Sequence, residues 1–267
     1  MLRVESDGGI ATITLDRPER LNAWTTELEL AYDATLRDLA VDAEVRAAIV
    51  TGAGRGYSAG WDMGELREVG DAGERADDSA VSIAVATTLA FPKPLIAAIN
   101  GACAGLGLAQ ALACDVRFAA DGAKFTTSYT KLGLVAEDGT SVLLRRAVGY
   151  AHALDLQLSS RIVPADEALR IGLVSQVVPA DELLATARAY ASDLVASCSP
   201  AAIALTKEVL AAHENTDLPT ALRESRALAL TRITTADFRE GVASFGERRP
   251  PRFDGLSATL PEGGKTT

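Results

Sequence analysis

Hydrophobic and polar positions alternate at the start of the chain, and helical spacing follows. Apolar and polar residues alternate from Leu2 to Glu5 and again from Ile10 to Leu15, and two glycines lie between these segments. Alternation on both sides of a glycine turn predicts the two strands of a β-hairpin. Apolar residues near helical spacing then predict a helix within Thr25 to Val41, and Ala47 to Thr51 is typical of a strand. The chain is therefore predicted to begin with strands, followed by a helix and a further strand.

The middle of the chain repeats a strand–strand–helix rhythm. A helix from Val81 to Ala90 is predicted to stop at the prolines that follow it. Leu95 to Ile99 and Val116 to Ala119 suit inner strands, and Leu106 to Ala113 between them suits a short buried helix. The polar, acidic stretch from Glu65 to Ser79 indicates a mobile surface loop with a short helix. Such a rhythm predicts a layered α/β core with a single site.

Beyond Thr140 helical spacing dominates, and three regions are predicted. Helices are expected at Ser141 to Val148, Ala151 to Leu158, Ala165 to Ile171, Ala180 to Ala196, Pro200 to Ala212, Asp217 to Thr231 and Thr235 to Phe245, with a short strand at Val174 to Val178. Residues 1–195 are predicted to form the α/β core with the site, and residues 196–255 a helical C-terminal region. Residues 256–267 are predicted to be a disordered tail.

Composition and charge narrow the possible functions. The chain has 267 residues, of which 48% are hydrophobic and 23% charged, so a large packed core is expected. Its 26 basic and 36 acidic side chains give a net charge of −10, and its basic residues form no run. Nucleic acid is therefore not expected as a partner. The longest apolar stretch, Leu95 to Ala113, is broken by an asparagine and glycines, so no membrane span is expected.

The cysteines and histidines restrict the compartment and the chemistry. Three cysteines form no CxxC pair and are expected to be reduced thiols. Since the N-terminus also lacks the apolar core of a signal peptide, a cytoplasmic location is expected. The two histidines, His152 and His213, are too few for most zinc sites and make a Ser-His-Asp triad improbable. Acid–base chemistry must then rest on carboxylates, tyrosine or lysine.

Two glycine-containing loops carry the candidate chemistry. In Ser58 to Met63 small residues allow a ligand to approach the backbone, and Asp62 suits the start of a helix, where its side chain can cap free N–H groups. Asn100 to Gly107 also opens a helix, where the first N–H groups have no internal partner. If the amides of Trp61 and Leu106 face one space, they form an oxyanion hole for an enolate reaction. The alternative is that both segments are ordinary glycine turns.

These loops and several further motifs, in order along the chain, resemble the enoyl-CoA hydratase/isomerase (crotonase) family across about residues 2–254. The motifs are Asp16 to Ala23, Ser58 to Met63, Pro92 to Gly107, Cys114 to Arg117, Ala165 to Ala168 with Gly172 to Val174, and Asp237 to Gly241 with Phe245 to Pro250. The resemblance implies an α/β, crotonase-like spiral of strand–strand–helix units with a helical C-terminal region. It also implies an acyl-CoA thioester substrate, no prosthetic group, no metal, and a homotrimer or dimer of trimers whose subunits meet through the C-terminal helices.

The resemblance places the two oxyanion donors at Trp61 and Leu106. Both side chains are larger than usual for the family and should narrow the acyl pocket. The residues expected to contact the CoA thioester are Arg20, Ala23, Ala59, Gly60, Asp62, Met63, Gly105 and Arg248. Lys207 and Arg249 are further candidates for the CoA phosphates, although each of these cations also suits a solvated surface position.

The catalytic acids depart from the pattern of a family hydratase, which uses two glutamates. Those positions are Ala109 and Tyr129 here, and neither residue is a good base at neutral pH. The segment Leu132 to Ser141 instead resembles the loop in which the family's isomerases hold one carboxylate, which falls on Glu137. One base suffices to move a proton from C2 to C4, so isomerisation of a 3-enoyl-CoA to a 2-enoyl-CoA is favoured. Tyr129 is expected to shape the pocket or to hydrogen-bond within it.

Three alternatives stay open at this stage. One is hydration or another reaction of the family, such as hydrolysis or carbon–carbon cleavage, with atypical residues. Another is a catalytically silent acyl-CoA-binding protein, since Ala109 and Tyr129 replace the usual acids. The third concerns Glu137 and Asp138, which could simply cap the helix that follows them.

Overall fold

The computed structural model describes residues 1–72 and 82–261. Its strands are β1 (Leu2–Asp7), β2 (Ile10–Leu15), β3 (Ala47–Gly52), β4 (Gly56–Ser58), β5 (Leu95–Ile99), β6 (Ala102–Ala104), β7 (Val116–Ala120), β8 (Lys124–Thr126), β9 (Val163–Pro164) and β10 (Gln176–Val178). Its helices are α1 (Thr26–Val41), α2 (Met63–Ala72), α3 (Ile83–Ala90), α4 (Gly105–Ala113), α5 (Thr140–Ser159), α6 (Ala165–Arg170), α7 (Leu183–Ser197), α8 (Pro200–Ala212), α9 (Leu218–Arg232) and α10 (Ala236–Glu247).

The strands form two sheets, and each repeat of the chain contributes one strand to each. The larger sheet has the order β1-β2-β3-β5-β7-β10, and the smaller one β4-β6-β8-β9. Strand β1 is antiparallel to β2, whereas β2, β3, β5, β7 and β10 run parallel to one another. The pairs β3/β4, β5/β6 and β7/β8 each place consecutive strands in different sheets. The predicted α/β rhythm is therefore confirmed.

The larger sheet is covered on both faces. Successive side chains of a strand point to opposite faces, so neighbours in β3 enter different clusters. Val50 is buried with Leu28 and Tyr32 of α1, and Ile49 is buried with Ala187 of α7. Burial on both faces explains why the inner strands are continuous apolar runs rather than alternating ones.

Lys93 connects the Pro-Lys-Pro segment to the carboxyl end of α1. Its side chain is 1% exposed, and its Nζ donates to the carbonyl oxygens of Leu39 and Asp42, each at 2.6 Å. The last carbonyls of a helix have no intrahelical partner, and a cation suits their partial negative charge. Burial lowers the pKa of Lys93 to about 8. The segment before β5 is thus fastened to the first helix.

Several predicted boundaries change in detail. The two helices predicted after Thr140 lie end to end in α5, and the predicted break between them is confirmed at Gly149, where φ is +76°. The acidic stretch predicted from Glu65 as a loop with a short helix is helical as far as Ala72, and the rest of it, residues 73–79, lies outside the described residues. Val81 also lies outside them, and α3 begins at Ile83.

The end of the described chain corrects the predicted tail. Leu260 is 5% exposed and belongs to the main hydrophobic cluster. Ala258 N donates to Ala40 O at 3.0 Å, and Arg37 donates to the carbonyl oxygen of Pro261 at 3.0 Å. The prediction of disorder from residue 256 is therefore wrong through residue 261, because these residues pack along α1. Residues 262–267 lie outside the described part.

Helices α8 to α10 expose many apolar side chains. Among these are Leu210, Leu218, Leu222, Leu230, Ile233, Val242 and Phe245, of which Phe245 is 87% exposed.

No single helix of the described residues has the length and hydropathy to cross a membrane. Helix α7 and residues 200–215 meet both criteria only jointly, across a bend of 110°. The three cysteines are free thiols, with Cys103 and Cys114 buried and Cys198 partly exposed.

Candidate active site

A cleft of about 880 Å³ lies between the β4–α2 loop, the start of α4 and the loop before α5. The predicted residues that line it are Trp61, Leu106, Tyr129, Glu137, Arg20, Ala23, Ala59, Gly60, Asp62, Met63 and Gly105. Arg248 is the exception: it ends α10 with a left-handed φ of +55° and does not line the cleft of its own chain.

In the β4–α2 loop, the backbone N–H of Trp61 is directed away from the neighbouring residues. Gly60 has φ of +94°, its carbonyl oxygen accepts from Trp24 N at 2.7 Å, and Asp62 N donates to Trp24 O at 2.7 Å. Because peptide groups alternate in direction along an extended segment, the Trp61 N–H faces away from Trp24. It donates to no atom of the described residues. Asp62 accepts from Gly64 N at 2.9 Å, which confirms the prediction that it caps α2.

The second loop brings another unpaired amide to the same place. Gly105 has φ of +49° and begins α4, whose N-cap residue provides no side-chain acceptor. Leu106 N has no acceptor within the described part of the chain. A Cβ added to Gly107 would lie 2.6 Å from Ser58 Cβ, and one added to Gly60 would lie 3.4 Å from Leu106 N. The close packing of α4 on β4 thus brings the two loops together.

Ala109 and Tyr129, the positions at which the resemblance predicts the glutamates of a hydratase, carry no usable base. Ala109 is fully buried in α4. The Tyr129 hydroxyl lies 3.3 Å from Thr140 Oγ1, and burial raises the pKa of Tyr129 to about 12. At neutral pH this hydroxyl stays protonated, so it acts as a hydrogen-bonding group.

Glu137 is a carboxylate at the cleft wall that no described residue engages. Its side chain forms no hydrogen bond or ion pair in residues 1–72 and 82–261. Glu137 is an exposed residue; the partial burial of its carboxyl, and then the charge of Asp138, raise its pKa above the usual value. The N-cap of α5 is Gly139, with no side-chain cap. The interpretation that Glu137 and Asp138 cap α5 is therefore wrong; Asp138 instead accepts from Ser82 N at 3.2 Å.

An ion pair beside the first loop was missed by the sequence reasoning. Arg17 Nη2 lies 3.1 Å from Asp62 Oδ2, and Arg17 Nη1 donates to the carbonyl oxygen of Ala23 at 2.5 Å. The Arg17 interactions and the Gly64 amide both lower the pKa of Asp62, the amide having the larger effect. The Asp-Arg-Pro motif was the available signal, because it places a cation next to the segment that leads to α1.

Glu29 is the second residue that was missed. It lies on α1, is 8% exposed and lines the cleft. Its Oε1 accepts from the Ser82 hydroxyl and, at 3.4 Å, from Ala84 N. Burial is the largest influence on its pKa and raises it. The signal in the sequence was an acidic residue next to Leu28 on the inner face of a predicted helix.

The cations predicted to bind the CoA phosphates differ in whether they already have hydrogen-bond or ion-pair partners. Arg20 lies at the cleft, and its guanidinium forms no hydrogen bond or close ion pair with a described residue. Lys207 Nζ contacts Asp115 at 2.7 Å and two carbonyl oxygens near β5, and Arg249 pairs with Glu240 at 2.6 Å. Both have structural partners, so among the predicted cations Arg20 is the one that lines the cleft without a partner in the described residues. The described residues contain no group of three or more His, Cys, Asp or Glu side chains that could hold a metal ion.

Comparisons with known proteins identify the family. A profile of the enoyl-CoA hydratase/isomerase family matches residues 5–256. The chain belongs to this family. It is 36% identical over 253 residues to the 1,2-epoxyphenylacetyl-CoA isomerase of Escherichia coli, covering 92% of this chain and 95% of the relative. It is 34% identical to the short-chain-enoyl-CoA hydratase of Clostridium acetobutylicum, covering 92% and 94% of the two chains.

Solved structures of the family share the fold. The enoyl-CoA hydratase from Bacillus anthracis superposes with a TM-score of 0.86 at 32% identity, covering 95% of this chain and 99% of that one. The crotonase-like fold is therefore confirmed, as is an enzyme of the enoyl-CoA hydratase/isomerase type. Acyl-CoA thioesters are the substrates of the family, and its members typically need no prosthetic group.

Proposed function

We propose that this enzyme isomerises 3-enoyl-CoA thioesters to 2-enoyl-CoA thioesters, with Glu137 as the base. The observation that carries the proposal is the Glu137 carboxylate, which lines the cleft without a partner among the described residues. Ala109 and Tyr129 provide no second acid–base group. Adding water requires a group that activates the nucleophile, whereas moving one proton between two carbons does not. Among the relatives, the one from Escherichia coli is named an isomerase of an epoxyphenylacetyl-CoA and the one from Clostridium acetobutylicum a hydratase, so the choice of reaction rests on the residues of this cleft.

In the proposed reaction, the thioester oxygen lies between the amides of Trp61 and Leu106. Glu137 removes a proton from C2, and the electrons of the C–H bond form a dienolate whose negative charge gathers on the thioester oxygen. Two N–H donors already directed at that oxygen stabilise the charge without reorganisation. The protonated Glu137 then returns the proton to C4, which leaves the double bond between C2 and C3. The base is restored to its ionised form.

The raised pKa of Glu137 supports its assignment as the base. A base whose pKa lies closer to the working pH removes a proton from carbon more readily than an ordinary exposed carboxylate. The proposal therefore requires activity to rise with pH as Glu137 ionises. Arg20, which lines the cleft, is assigned to the CoA phosphates, as a cation with no competing partner among the described residues.

The test compares Glu137→Gln with Tyr129→Phe on a 3-enoyl-CoA and a 2-enoyl-CoA, with the double-bond position of each product assigned. Glu137→Gln keeps the size and polarity of the side chain but removes the base, so kcat should fall by about 10²–10⁴-fold or more while the Kd for CoA thioester changes only a few-fold. Tyr129→Phe removes one hydroxyl and should cost less than about 10-fold. Equal melting temperatures would show that both variants are folded.

Other outcomes distinguish the alternatives. A nearly wild-type Glu137→Gln beside an inactive Tyr129→Phe would reverse the assignment of the base. Conversion of 2-enoyl-CoA to a hydroxyacyl product would favour hydration with atypical residues. A wild-type enzyme that binds CoA thioesters but converts neither enoyl isomer would favour another reaction of the family or a silent binding protein.

The assembly is proposed to be a trimer or a dimer of trimers. Helices α8 to α10 present apolar side chains that one chain leaves uncovered, such as Leu222 and Phe245. Arg248, which does not reach the cleft of its own chain, is then assigned to the CoA bound by a neighbouring subunit. Light scattering should give three or six times the chain mass of 27.9 kDa. A stable monomer would contradict both assignments.

A cytoplasmic location is also proposed, on the basis of three free thiols. Fractionation of the source cells with compartment markers tests it. Recovery of the protein in a compartment that forms disulfides would contradict it.

A further inference from the structure

We propose that Asp138 is a positioning residue for Glu137, and that the amino end of α3 holds it in place through the backbone N–H of Ser82. This inference rests on the proposed function, since it concerns the base of that reaction. The start of α3 and the loop before α5 are far apart in sequence, and they meet at the wall of the cleft.

The amino end of α3 receives its hydrogen-bond acceptors from other elements. Its N-cap residue, Ser82, provides no side-chain cap. Ser82 N donates instead to Asp138 Oδ1 at 3.2 Å, and Ala84 N donates to Glu29 Oε1 at 3.4 Å. The Ser82 hydroxyl also donates to Glu29. Because the first N–H groups of a helix attract negative charge, two carboxylates from separate elements converge on this end.

Asp138, next to Glu137, is held through its side chain by the start of α3. The two ends of the same loop are held by backbone hydrogen bonds. Leu134 N donates to Tyr129 O at 3.0 Å, and Thr140 N donates to Glu137 O at 2.9 Å. Between these bonds Val135, Glu137 and Gly139 are exposed, whereas Ala136 and Asp138 are half-buried. Asp138 itself adopts a left-handed φ of +52°, which non-glycine residues rarely adopt. The hydrogen bond from Ser82 therefore holds the backbone next to Glu137 in an otherwise disfavoured conformation.

The same contact places a negative charge beside the base. The charged or titratable groups around the cleft are Glu29 on α1, Asp62 before α2, Glu65 and Arg67 on α2, Arg20 before α1, Tyr129 before the loop, and Asp138. Among them, Asp138 is the one whose charge raises the pKa of Glu137. Removing that charge while keeping an oxygen acceptor should lower the pKa of Glu137.

Two substitutions at Ser82 distinguish the effect of its backbone N–H from that of its hydroxyl. Ser82→Pro removes both, and the Ser82 φ of −50° is compatible with proline. Ser82→Ala removes the hydroxyl alone and is the matched control. If Asp138 positions Glu137, Ser82→Pro should lower kcat about 10-fold or more relative to Ser82→Ala, with KM within about 3-fold, because small displacements of a base are costly. Equal kcat values in two folded variants would overturn the proposal.

Asp138→Asn tests the charge and does not depend on proline being tolerated. The amide oxygen can still accept from Ser82 N, so the plateau value of kcat should stay within about 5-fold. The acid limb of the pH profile of kcat/KM should move to lower pH by about 0.5–1 unit, as expected for the loss of a neighbouring charge. An acid limb at the wild-type pH would mean that Asp138 has no influence on the base.

Hydrogen exchange provides a measurement that needs no turnover. Peptides covering residues 133–139 should exchange faster in Ser82→Pro than in Ser82→Ala, because the loop has lost its anchor. If the wild-type enzyme isomerised no enoyl-CoA, the proposed reaction would fail while this comparison still decided the contact. Identical exchange in the two variants would show that Ser82 does not hold the loop.

Discussion

Replacing Gly60 with alanine is expected to disable the oxyanion hole without preventing folding. Gly60 has φ of +94°, and an added Cβ would lie 3.0 Å from the carbonyl oxygen of Ala104 and 3.4 Å from Leu106 N. A methyl group there occupies space beside one of the two proposed donors. It also forces the two loops apart by a few tenths of an ångström, since 3.0 Å is too close for a Cβ–O contact.

The size of the effect has two parts. A non-glycine residue with positive φ costs about 1–2 kcal/mol of stability, which a domain of this size tolerates. The loss of one oxyanion donor typically lowers kcat by about 10²–10³-fold, equivalent to about 2.7–4 kcal/mol of transition-state stabilisation. The loss of transition-state stabilisation should therefore exceed the loss of folding free energy.

Gly8→Ala is the matched control for the backbone cost. Gly8 lies in the β1–β2 turn with φ of +59°, and a Cβ added there meets nothing within 4 Å. Gly60→Ala should lose more stability than Gly8→Ala in urea unfolding, because only its Cβ meets backbone atoms, and only Gly60→Ala should lose kcat/KM on a 3-enoyl-CoA. A folded Gly60→Ala enzyme with activity within about 3-fold of Gly8→Ala would show that the proposed hole is not used.

Three further predictions concern stability. Gly107→Ala should destabilise the protein by about 1–3 kcal/mol in urea unfolding, because the added Cβ lies 2.6 Å from Ser58 Cβ; Gly246→Ala on α10, where a Cβ meets nothing within 4 Å, should not. Leu260→Ala should cost about 2–5 kcal/mol, whereas a disordered position would cost nothing. The raised pKa of Glu29 means that the folded state binds more protons than the unfolded state above about pH 4.5, so this residue lowers stability as pH rises. The free energy of unfolding of Glu29→Gln, relative to that of wild type, should therefore be higher at about pH 7.5 than at about pH 4.5. The same difference from wild type at both pH values would contradict the reasoning.

Features encoded by neighbouring residues could be predicted from the sequence. The helix α1 begins where expected because Thr25 accepts from Leu28 N, a contact between residues three apart. The interruption of α5 at Gly149 follows from glycine in a conformation that other residues avoid. The two loops with unpaired amides were found because glycine turns and helix starts are local patterns. Glu137 was found through the family resemblance.

Features that depend on distant parts of the chain were missed. Glu29 and Ser82 are 53 residues apart, and Ser82 and Asp138 are 56 apart. Periodicity within α1 marks Glu29 as inward-facing but does not reveal the cleft it meets. Leu260 was missed for the same reason: it follows a stretch without secondary structure, and only the groove along α1 gives it a place in the core.

The positions of the two tryptophans give the enzyme a built-in optical signal. Trp24 is fully buried, whereas Trp61 is partly buried and lines the cleft. Since the chain contains only these two, a ligand that enters the cleft changes the surroundings of one indole and leaves the other in its apolar pocket. Emission excited at the indole absorption band therefore has a constant component from Trp24 and a variable component from Trp61. Substrate occupancy can thus be followed in the unlabelled protein, including in variants that no longer turn over.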